Sequence, residues 1–435
     1  MLATSMRVLV IGSGGREHAL VWKLRQSRLV TNIWCAPGNG GISQQAECLP
    51  ADLGNSSALA DLAENLRADL TVVGPERPLV DGIADEFNHR SLRIIGPSKK
   101  WAQLEGSKIF AKEFLDLHGI PTARVYGVFA SAQDATKKLE NSRYPVVLKA
   151  DGLCGGKGVL VANSYGEAAD FVDRVLEKRE FGEGGRRLLV EEALDGDELS
   201  FIVLSDGRDF VPLVPTRDHK RALDGDLGPN TGGMGAYSCD GIISSSIEAQ
   251  IREGVVEPTM AALTSDVFGY RGFLYFGLML TSAGPKVLEF NCRLGDPETQ
   301  AIVARMNFDL GEVLGAVADG KLTSQKLNWR PGASVCVVMT SGGYPGNYAT
   351  GKEVHGVEEA AAMTGVSVFH AGTKREGHKY YTSSGRVLGV TALDDTLDAA
   401  RRRAYDAVQL VRFSNCHYRG DIALAGCRVA NIGED

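Results

Sequence analysis

The densest chemistry in this sequence lies in LEFNCRLGDPETQ (288–300). Glu289, Asn291 and Arg293 stand two residues apart. On a strand this spacing puts all three on one face and Leu288, Phe290 and Cys292 on the other. A carboxylate and an amide oxygen are hard ligands. Magnesium accepts such a pair and completes its octahedron with phosphate oxygens. Arg293 can neutralise the same phosphates, and the segment ends in a rigid Gly295-Asp296-Pro297 turn. The plain alternative is an amphipathic strand with a solvated face.

KADGLCGGKGV (149–159) is a glycine-rich loop with a Gly-Lys pair. It does not fit GxxxxGK[ST]: only three residues separate Gly152 from Gly156, and Gly158 follows Lys157. A P-loop joins a strand to a helix, whereas this loop joins two strand-like runs. It reads instead as a β-hairpin lid over phosphates. Gly155, Gly156 and Gly158 let the backbone approach the oxygens, and Lys157 and Lys149 add charge. VEEALDGDE (190–198) follows the lid strands. By itself it would read as a solvated turn. In that position, backbone groups at Glu191–Leu194 can read an adenine edge, and Glu198 can accept from ribose hydroxyls.

GSGGREH (12–18) follows a strand and opens a helix, where N–H groups form an anion site. A dinucleotide fingerprint would need glycine at position 17, which is Glu, and an acid after the second strand, which ends Ala36-Pro37-Gly38-Asn39. Three readings stand beside one another: a nicotinamide site, a tight structural turn, or a site for a small phosphorylated ligand lined by Gly14, Gly15, Arg16 and Asn39. GPERP (74–78), with Glu76, projects from the same sheet edge. RDHKR…GDLGPNTGGMGAY (217–237) is dense in Gly, Pro, Asn and Asp. It reads as an ordered loop, either a substrate loop or a long connector. Its Asp218, Lys220, Arg221, Asp226, Asn230 and Thr231 are candidate substrate contacts.

The elements that must position these groups follow from hydrophobic periodicity. Strand-like runs at 7–11, 32–37, 70–74 and 93–96 alternate with helical runs at 17–27, 57–68 and 80–90. That grammar predicts a parallel sheet covered on both faces. A helix at 106–118 with Ser107 as its cap follows. Residues 146–150 and 158–162 are expected as strands, then a helix near 166–178, then strands at 188–194 and from 199. A hairpin is expected from 273–280 and 286–291. This middle part reads as antiparallel α+β. Strands at 333–341, 366–372 and 387–393 and a helix at 394–411 close the chain. The expected division is 1–105, 106–328 with a lid subdomain at about 123–195, and 329–435.

The bulk properties are those of a globular protein. Its 435 residues are 44% hydrophobic and 23% charged, with formal net charge -7. That balance does not favour nucleic acid or an anionic membrane, which select basic patches. Eight cysteines form no CxxC pair, so structural zinc is not expected. Disulfide staples are not expected in a chain of this size. No run of 18 apolar residues occurs, and the opening MLATSMRVLVIG has no h-region or cleavage site. The expectation is a reduced, cytoplasmic protein.

The order Lys108, Lys149, GLCGGKGV, EEALDGDE and EFNCRLGDPE resembles the ATP-grasp superfamily. IGSGGREHAL, APGN, GPERPLV, LEGSK, HGIPTA, DHKR, GPNTGGMGAY, EFNCRLGDPETQ, SGGYPG and FHAGT narrow the resemblance to the glycinamide ribonucleotide synthetase family. The likeness runs in order from about residue 7 to 422. It implies an ATP-grasp fold with an N-terminal preATP-grasp α/β domain and a small C-terminal β-rich domain, together α/β and α+β. It also implies a purine-biosynthesis ligase that joins glycine to 5-phosphoribosylamine through an acyl phosphate, with ATP giving ADP and phosphate.

Carried over by position, Lys108, Lys149 and the Gly155–Gly158 loop with Lys157 hold ATP. Glu191, Glu192, Leu194 and Glu198 hold adenosine, and Glu289 and Asn291 bind Mg2+ or Mn2+. Gly14, Gly15, Arg16, Asn39, Glu76, Asp218, Lys220, Asn230 and Gly295 are expected at substrate, and Arg293, Lys157 and Asp218 at the reacting atoms. Contact with neighbouring purine-pathway enzymes fits the same picture. Two departures stand out: Leu153-Cys154-Gly155 where the family commonly has Leu-Ala-Ala, and Arg77 in place of Ala. No protein nucleophile is required, and no Ser/His/Asp or Cys/His set is evident. The residues leave open another ATP-grasp ligase or carboxylase, a dinucleotide-dependent oxidoreductase, and a non-catalytic nucleotide-binding module.

Overall fold

A computed structural model describes residues 5–264 and 269–427. Residues 1–4, part of the segment read for a leader, and the end of the expected last domain lie outside it. The N-terminal sheet is five-stranded and parallel, in the order Glu47–Cys48, Val30–Pro37, Met6–Gly12, Leu70–Val73, Ile94–Ile95. Val8, Leu9, Val10 and Ile11 are all fully buried because helices cover both faces. Met6–Gly12 lies between strands whose connections run to opposite sides. Its carboxyl end is the topological switch point where ligands of such sheets bind, and the GSGGREH turn stands there.

Two helices differ from expectation. The run 80–90 divides into Glu76–Asp81 and Ile83–His89 at Gly82, whose φ of 101° is open to glycine and interrupts the helical path. A helix Lys99–Gly106 precedes Lys108–Leu117. The chain turns extended at Ser107, whose hydroxyl caps the second helix by accepting from Phe110 N at 3.1 Å.

Four antiparallel strands, in the order Val125–Phe129, Leu188–Glu192, Val146–Ala150, Val159–Ala162, form a separate sheet. It has its own core of Ala135, Leu139, Val146, Leu148, Phe171 and neighbours. The helix expected near 166–178 is Tyr165–Val172, continued by a π turn over Asp173–Glu177. Facing this unit is a second antiparallel sheet: Phe210–Pro212, Asp197–Asp206, Arg271–Thr281, Gly284–Asn291.

The region 217–237 is not a plain loop. It holds strands Arg217–Asp218, Arg221–Leu223, Leu227–Asn230 and Gly235–Cys239. Gly235–Cys239 pairs with Ala333–Ser341 nearly a hundred residues later, in a sheet that continues through Arg386–Asp394 and Val366–His370. Its glycines and short runs hide a ladder that only a distant partner completes. Cys239 and Cys427 form a disulfide, with Cα atoms 6.7 Å apart, against the expectation of unpaired thiols. The two are 188 residues apart, so spacing gives no sign of the pair. Among the described residues no helix is long and apolar enough to cross a membrane.

Candidate active site

The sheet that carries the glycine-rich loop and the Gly284–Asn291 strand enclose one cluster. Lys108 starts its helix against the base of the glycine-rich loop. Its Nζ donates to Gly152 O at 3.0 Å and its backbone N–H to Asp151 O at 3.0 Å. The loop turns through Gly155 at φ 56° and Gly156 at φ 78°, conformations that disfavour a side chain. Gly158 packs on Cys154, where a Cβ would fall 2.6 Å from the cysteine's own. Lys157 is exposed at the tip.

Below the loop, Lys149 is buried against the Glu191 carboxylate and donates to Leu288 O at 3.1 Å. Glu192 accepts from Arg124 N at 3.0 Å and from Lys286 Nζ at 3.4 Å. Leu194 is half-buried in the segment after that strand. Glu198, expected on a ribose, is paired with Lys220 Nζ at 2.6 Å.

Glu289 and Asn291 share a face of their strand, as expected. No side-chain hydrogen bond or ion pair to a described residue occupies the half-buried Glu289 carboxylate. Among the described residues no group of three His, Cys, Asp or Glu could hold a metal ion alone. One free carboxylate beside an amide oxygen fits a cation that takes its remaining ligands from phosphate and water.

Asp218 and Lys220 stand across from this strand. Burial pushes the Asp218 carboxyl up to about 7; Lys220 opposes the shift, and Glu298, Glu198 and Glu289 add to it. Burial works against the Lys220 ammonium, but Asp218 and Glu198 outweigh it and hold it well above the usual lysine range. Glu298, buried, accepts from Ser200 Oγ at 3.3 Å, and that hydroxyl is 2.8 Å from Tyr275 Oη. Gly295 is pressed on Glu298, where a Cβ would lie 2.4 Å from Oε2. Asn230 sits opposite Arg221 in its hairpin, and the next residue, Thr231, bonds Lys220 O through both N–H and hydroxyl.

Arg293 links this cluster to the N-terminal sheet. Its Nε lies 3.2 Å from Glu76 Oε2, its Nη2 2.6 Å from Glu105 Oε1 and 3.4 Å from Asn291 Oδ1. Burial opposes ionisation of Glu76, but Arg293 and Arg16 outweigh it and hold the carboxyl down at about 2. Glu105 is more deeply enclosed, and burial pushes it up to about 7 despite the same arginine.

The sheet-edge turn is fastened from within. Gly14 N donates to Glu17 Oε2 at 2.5 Å, and Arg16 Nε meets Glu17 Oε1 at 2.6 Å. The Asn39 amide donates to Ser13 O and His370 O, and its oxygen accepts from Gly41 N and Ile42 N. A Cβ on Gly15 would lie 2.6 Å from Gln300 Nε2. A cavity of about 470 Å3 opens here between Ser13, Gly14, Asn39 and Asp296 on one wall and Tyr344, Thr373, Ser384 and Arg386 on the other. Arg77 turns away to water, paired with Asp81 at 2.5 Å.

The sequence reading missed Lys112, Glu105, Glu298, Asp296 and the C-terminal wall. Asp296 and Glu298 lie inside the GDPE turn already singled out; proximity to Gly295 was a usable signal. Ser384 sits in an ordinary-looking strand connection and Arg386 opens the strand that follows it. No local pattern marks them.

Three models of one family match the chain in order: the phosphoribosylglycinamide synthetase N domain over residues 6–105, its ATP-grasp (A) domain over 106–299 and its C domain over 334–425. An Escherichia coli O157:H7 protein named phosphoribosylamine–glycine ligase is 47% identical over 421 residues, 96% of this chain and 98% of its own. The crystal structure of phosphoribosylamine–glycine ligase from Thermotoga maritima superposes with TM-score 0.82 at 34% identity, covering 96% of this chain and 100% of that one. The biotin carboxylase domain of the Hydrogenobacter thermophilus 2-oxoglutarate carboxylase, solved with magnesium–ADP and bicarbonate, shares the fold at TM-score 0.71 and 18% identity, covering 95% of this chain and 92% of that one. The chain belongs to the phosphoribosylglycinamide synthetase family.

Proposed function

We infer that this chain is an ATP-dependent ligase that joins the carboxyl group of glycine to the amine of 5-phosphoribosylamine, an early step of purine biosynthesis. The observation that carries the reading is the junction at Arg293. This guanidinium bonds Asn291, on the strand face that carries the free Glu289 carboxylate, and Glu76 and Glu105, on the N-terminal side at the sheet edge.

The chemistry needs two displacements. A glycine carboxylate oxygen bonds to the γ-phosphorus of ATP as the bond to ADP breaks. The amine nitrogen then bonds to the acyl carbon as phosphate leaves, and the amine gives up a proton. Neither step needs a covalent bond to protein, so catalysis is positioning and charge neutralisation. A magnesium or manganese ion held by Glu289 and Asn291 would supply charge neutralisation at the phosphates.

Lys108, Lys149 and Lys157 with Gly155, Gly156 and Gly158 bind the phosphates and the purine. The backbone at Glu191–Leu194 reads the adenine edge. Asp218, whose carboxyl sits near 7, is a carboxyl that a bound ammonium pulls into its ionised form, which suits the amino group of glycine. Lys220 balances it and orders Glu198. Gly295 gives close approach beside Glu298. Gly14, Gly15, Arg16, Asn39 and Glu76 shape the phosphoribosylamine side, with Asn230 on the substrate hairpin. Arg293 keeps positive charge where the acyl phosphate meets the amine, and closure of a lid at about 123–195 keeps water from it.

The same reading divides the chain at about 105 and 328. It places the enzyme in the cytoplasm, where a labile amine favours contact with the enzyme that makes it. Freshly prepared phosphoribosylamine tests the reading. ADP release is expected only with glycine and the amine together. Release driven by bicarbonate or formate, with glycine inert, would replace this function with that of another ATP-grasp enzyme.

A further inference from the structure

Beneath the nucleotide cluster lies a buried group of three charges. Lys112 and Lys149 are both more than nine-tenths buried, and Glu191 is 1% exposed. Lys112 Nζ lies 2.8 Å from Glu191 Oε2, 2.5 Å from Thr122 Oγ1 and 3.3 Å from Ala123 O. Two of the three ammonium donors of Lys112 go to Thr122 and Ala123, and the ion pair with Glu191 Oε2, which takes no aligned hydrogen bond, lies on its remaining side. Lys149 Nζ contacts Glu191 Oε1 and donates to Leu288 O. That accounts for two of its three donors. Both oxygens of Glu191 therefore face lysines. The network also crosses between elements: Thr122 Oγ1 donates to Val287 O at 2.6 Å, next to the Leu288 carbonyl that Lys149 uses.

We propose that Lys112 is a positioning residue for the nucleotide: it fixes the Glu191 carboxylate against Lys149, leaving Lys149 one N–H for the ligand, and that carboxylate itself does not read the purine. This rests on the function inferred above. Charge supports it independently. A buried pair is most economically neutral, because an uncompensated buried charge is strongly destabilising. Two lysines on one carboxylate leave a net positive charge. Burial, against the pull of Glu191, brings the Lys112 amine down to about 8. Such an excess is relieved when an electron-rich group of the ligand, a ring nitrogen or a phosphate oxygen, comes to Lys149. Lys112 lies one helical turn from Lys108, on the same helix, so helix and lid strands present both nucleotide lysines together.

The test is MgADP binding by calorimetry on the full chain, with MgIDP, which lacks the 6-amino group, as the second probe. Lys112→Met is expected to weaken MgADP about tenfold while the KM for glycine stays within about twofold. Glu191→Gln is expected to weaken MgADP and MgIDP by the same factor. Lys112→Met binding as tightly as wild type would overturn the positioning role. A severalfold change in the ADP-to-IDP ratio in Glu191→Gln would overturn it too, since the carboxylate would then be reading the amino group. Should Lys112→Met not fold, Thr122→Val removes one acceptor without changing charge, and about a threefold loss is expected; no loss overturns the role. Wild type that binds no MgADP sinks this proposal and the ligase reading together. Wild type that binds MgADP but shows no glycine-dependent turnover sinks the ligase reading alone.

Discussion

Glu289, like Asp218, has no side-chain hydrogen bond or ion pair to a described residue. Glu191, Glu198, Glu76 and Glu105 are all paired with lysine or arginine. A half-buried carboxylate without a partner adds little to the fold. Glu289→Ala is expected to reduce turnover about 100- to 1000-fold and to change unfolding free energy by less than about 1 kcal/mol. Steady-state kinetics and urea denaturation on the same sample separate the two; near-normal turnover would remove Glu289 from the metal role. Lys157, exposed at the tip of the glycine-rich loop, is expected to act on ATP alone. Lys157→Ala should raise the KM for ATP about tenfold, the loss of one charge-assisted contact; an unchanged ATP requirement would take it off the lid. The Glu289/Asn291/Arg293 set was readable because a period of two reports a shared strand face. Lys112 and Glu105 were not, because their partners, Glu191 and Arg293, come from elements far along the chain.

The hairpin Arg221–Asn230 is held in place by the last described segment. Arg419 is fully buried; its Nε and Nη2 grip Asp421 at 2.7 Å each, and Nη1 reaches Asp226 at 2.7 Å. Asp421 also accepts from Gly225 N at 2.8 Å, and Asp224 accepts from Gly420 N at 2.8 Å. The Cys239–Cys427 disulfide joins the strand Gly235–Cys239, which follows the hairpin, to the same last segment. This clamp stands at the base of the element that carries Asp218 and Lys220. Arg419→Met leaves two carboxylates without their counter-charge. It is expected to destabilise the protein by about 2 kcal/mol, below the 3–5 kcal/mol of a fully buried pair because Asp226 is largely exposed. The KM for glycine should rise while MgADP binding holds. Equal losses for both ligands would mean that the clamp serves the whole fold and not this hairpin. Sequence gave no hint of the clamp. Density in glycine and aspartate reads as loop, and the partner strand of Gly235–Cys239 lies about a hundred residues away.

At the scale of the whole molecule, the parallel N-terminal sheet was legible because continuous apolar runs and helical spacing alternate without interruption. What sequence could not supply was how its switch-point turn meets the C-terminal sheet. That contact is made by two buried histidines. His18, on the helix Gly15–Leu24, accepts at Nδ1 from His370 N at 2.7 Å, and the His370 ring is 2.9 Å from Thr373 Oγ1. An imidazole that accepts at Nδ1 must be neutral, and protonation would put a hydrogen where the His370 N–H already points. Burial, then the charge of His370, holds His18 well below the usual histidine range, and burial brings His370 down to about 4. In the unfolded chain both titrate near ~6.5. Between that value and 4 these two groups bind more protons in the unfolded chain, so their contribution to stability falls as pH falls and is constant above neutrality. For His370 the full difference amounts to about 3 kcal/mol once pH reaches 4. Urea midpoints are taken from pH 7.5 to 4.5 on wild type and His370→Gln, and the wild-type midpoint relative to that of the variant should drop steadily below pH 6.5. Glu105 and Asp218, pushed up to about 7, act with the opposite sign in this window, and Glu76, held at about 2, acts with the sign of the histidines only below its unfolded value of about 4.5, so only the difference between wild type and His370→Gln isolates the histidine. A wild-type midpoint that keeps a constant offset from that of His370→Gln from pH 6.5 to 5 would mean that this contact tolerates the imidazolium and does not set the acid limit of the fold.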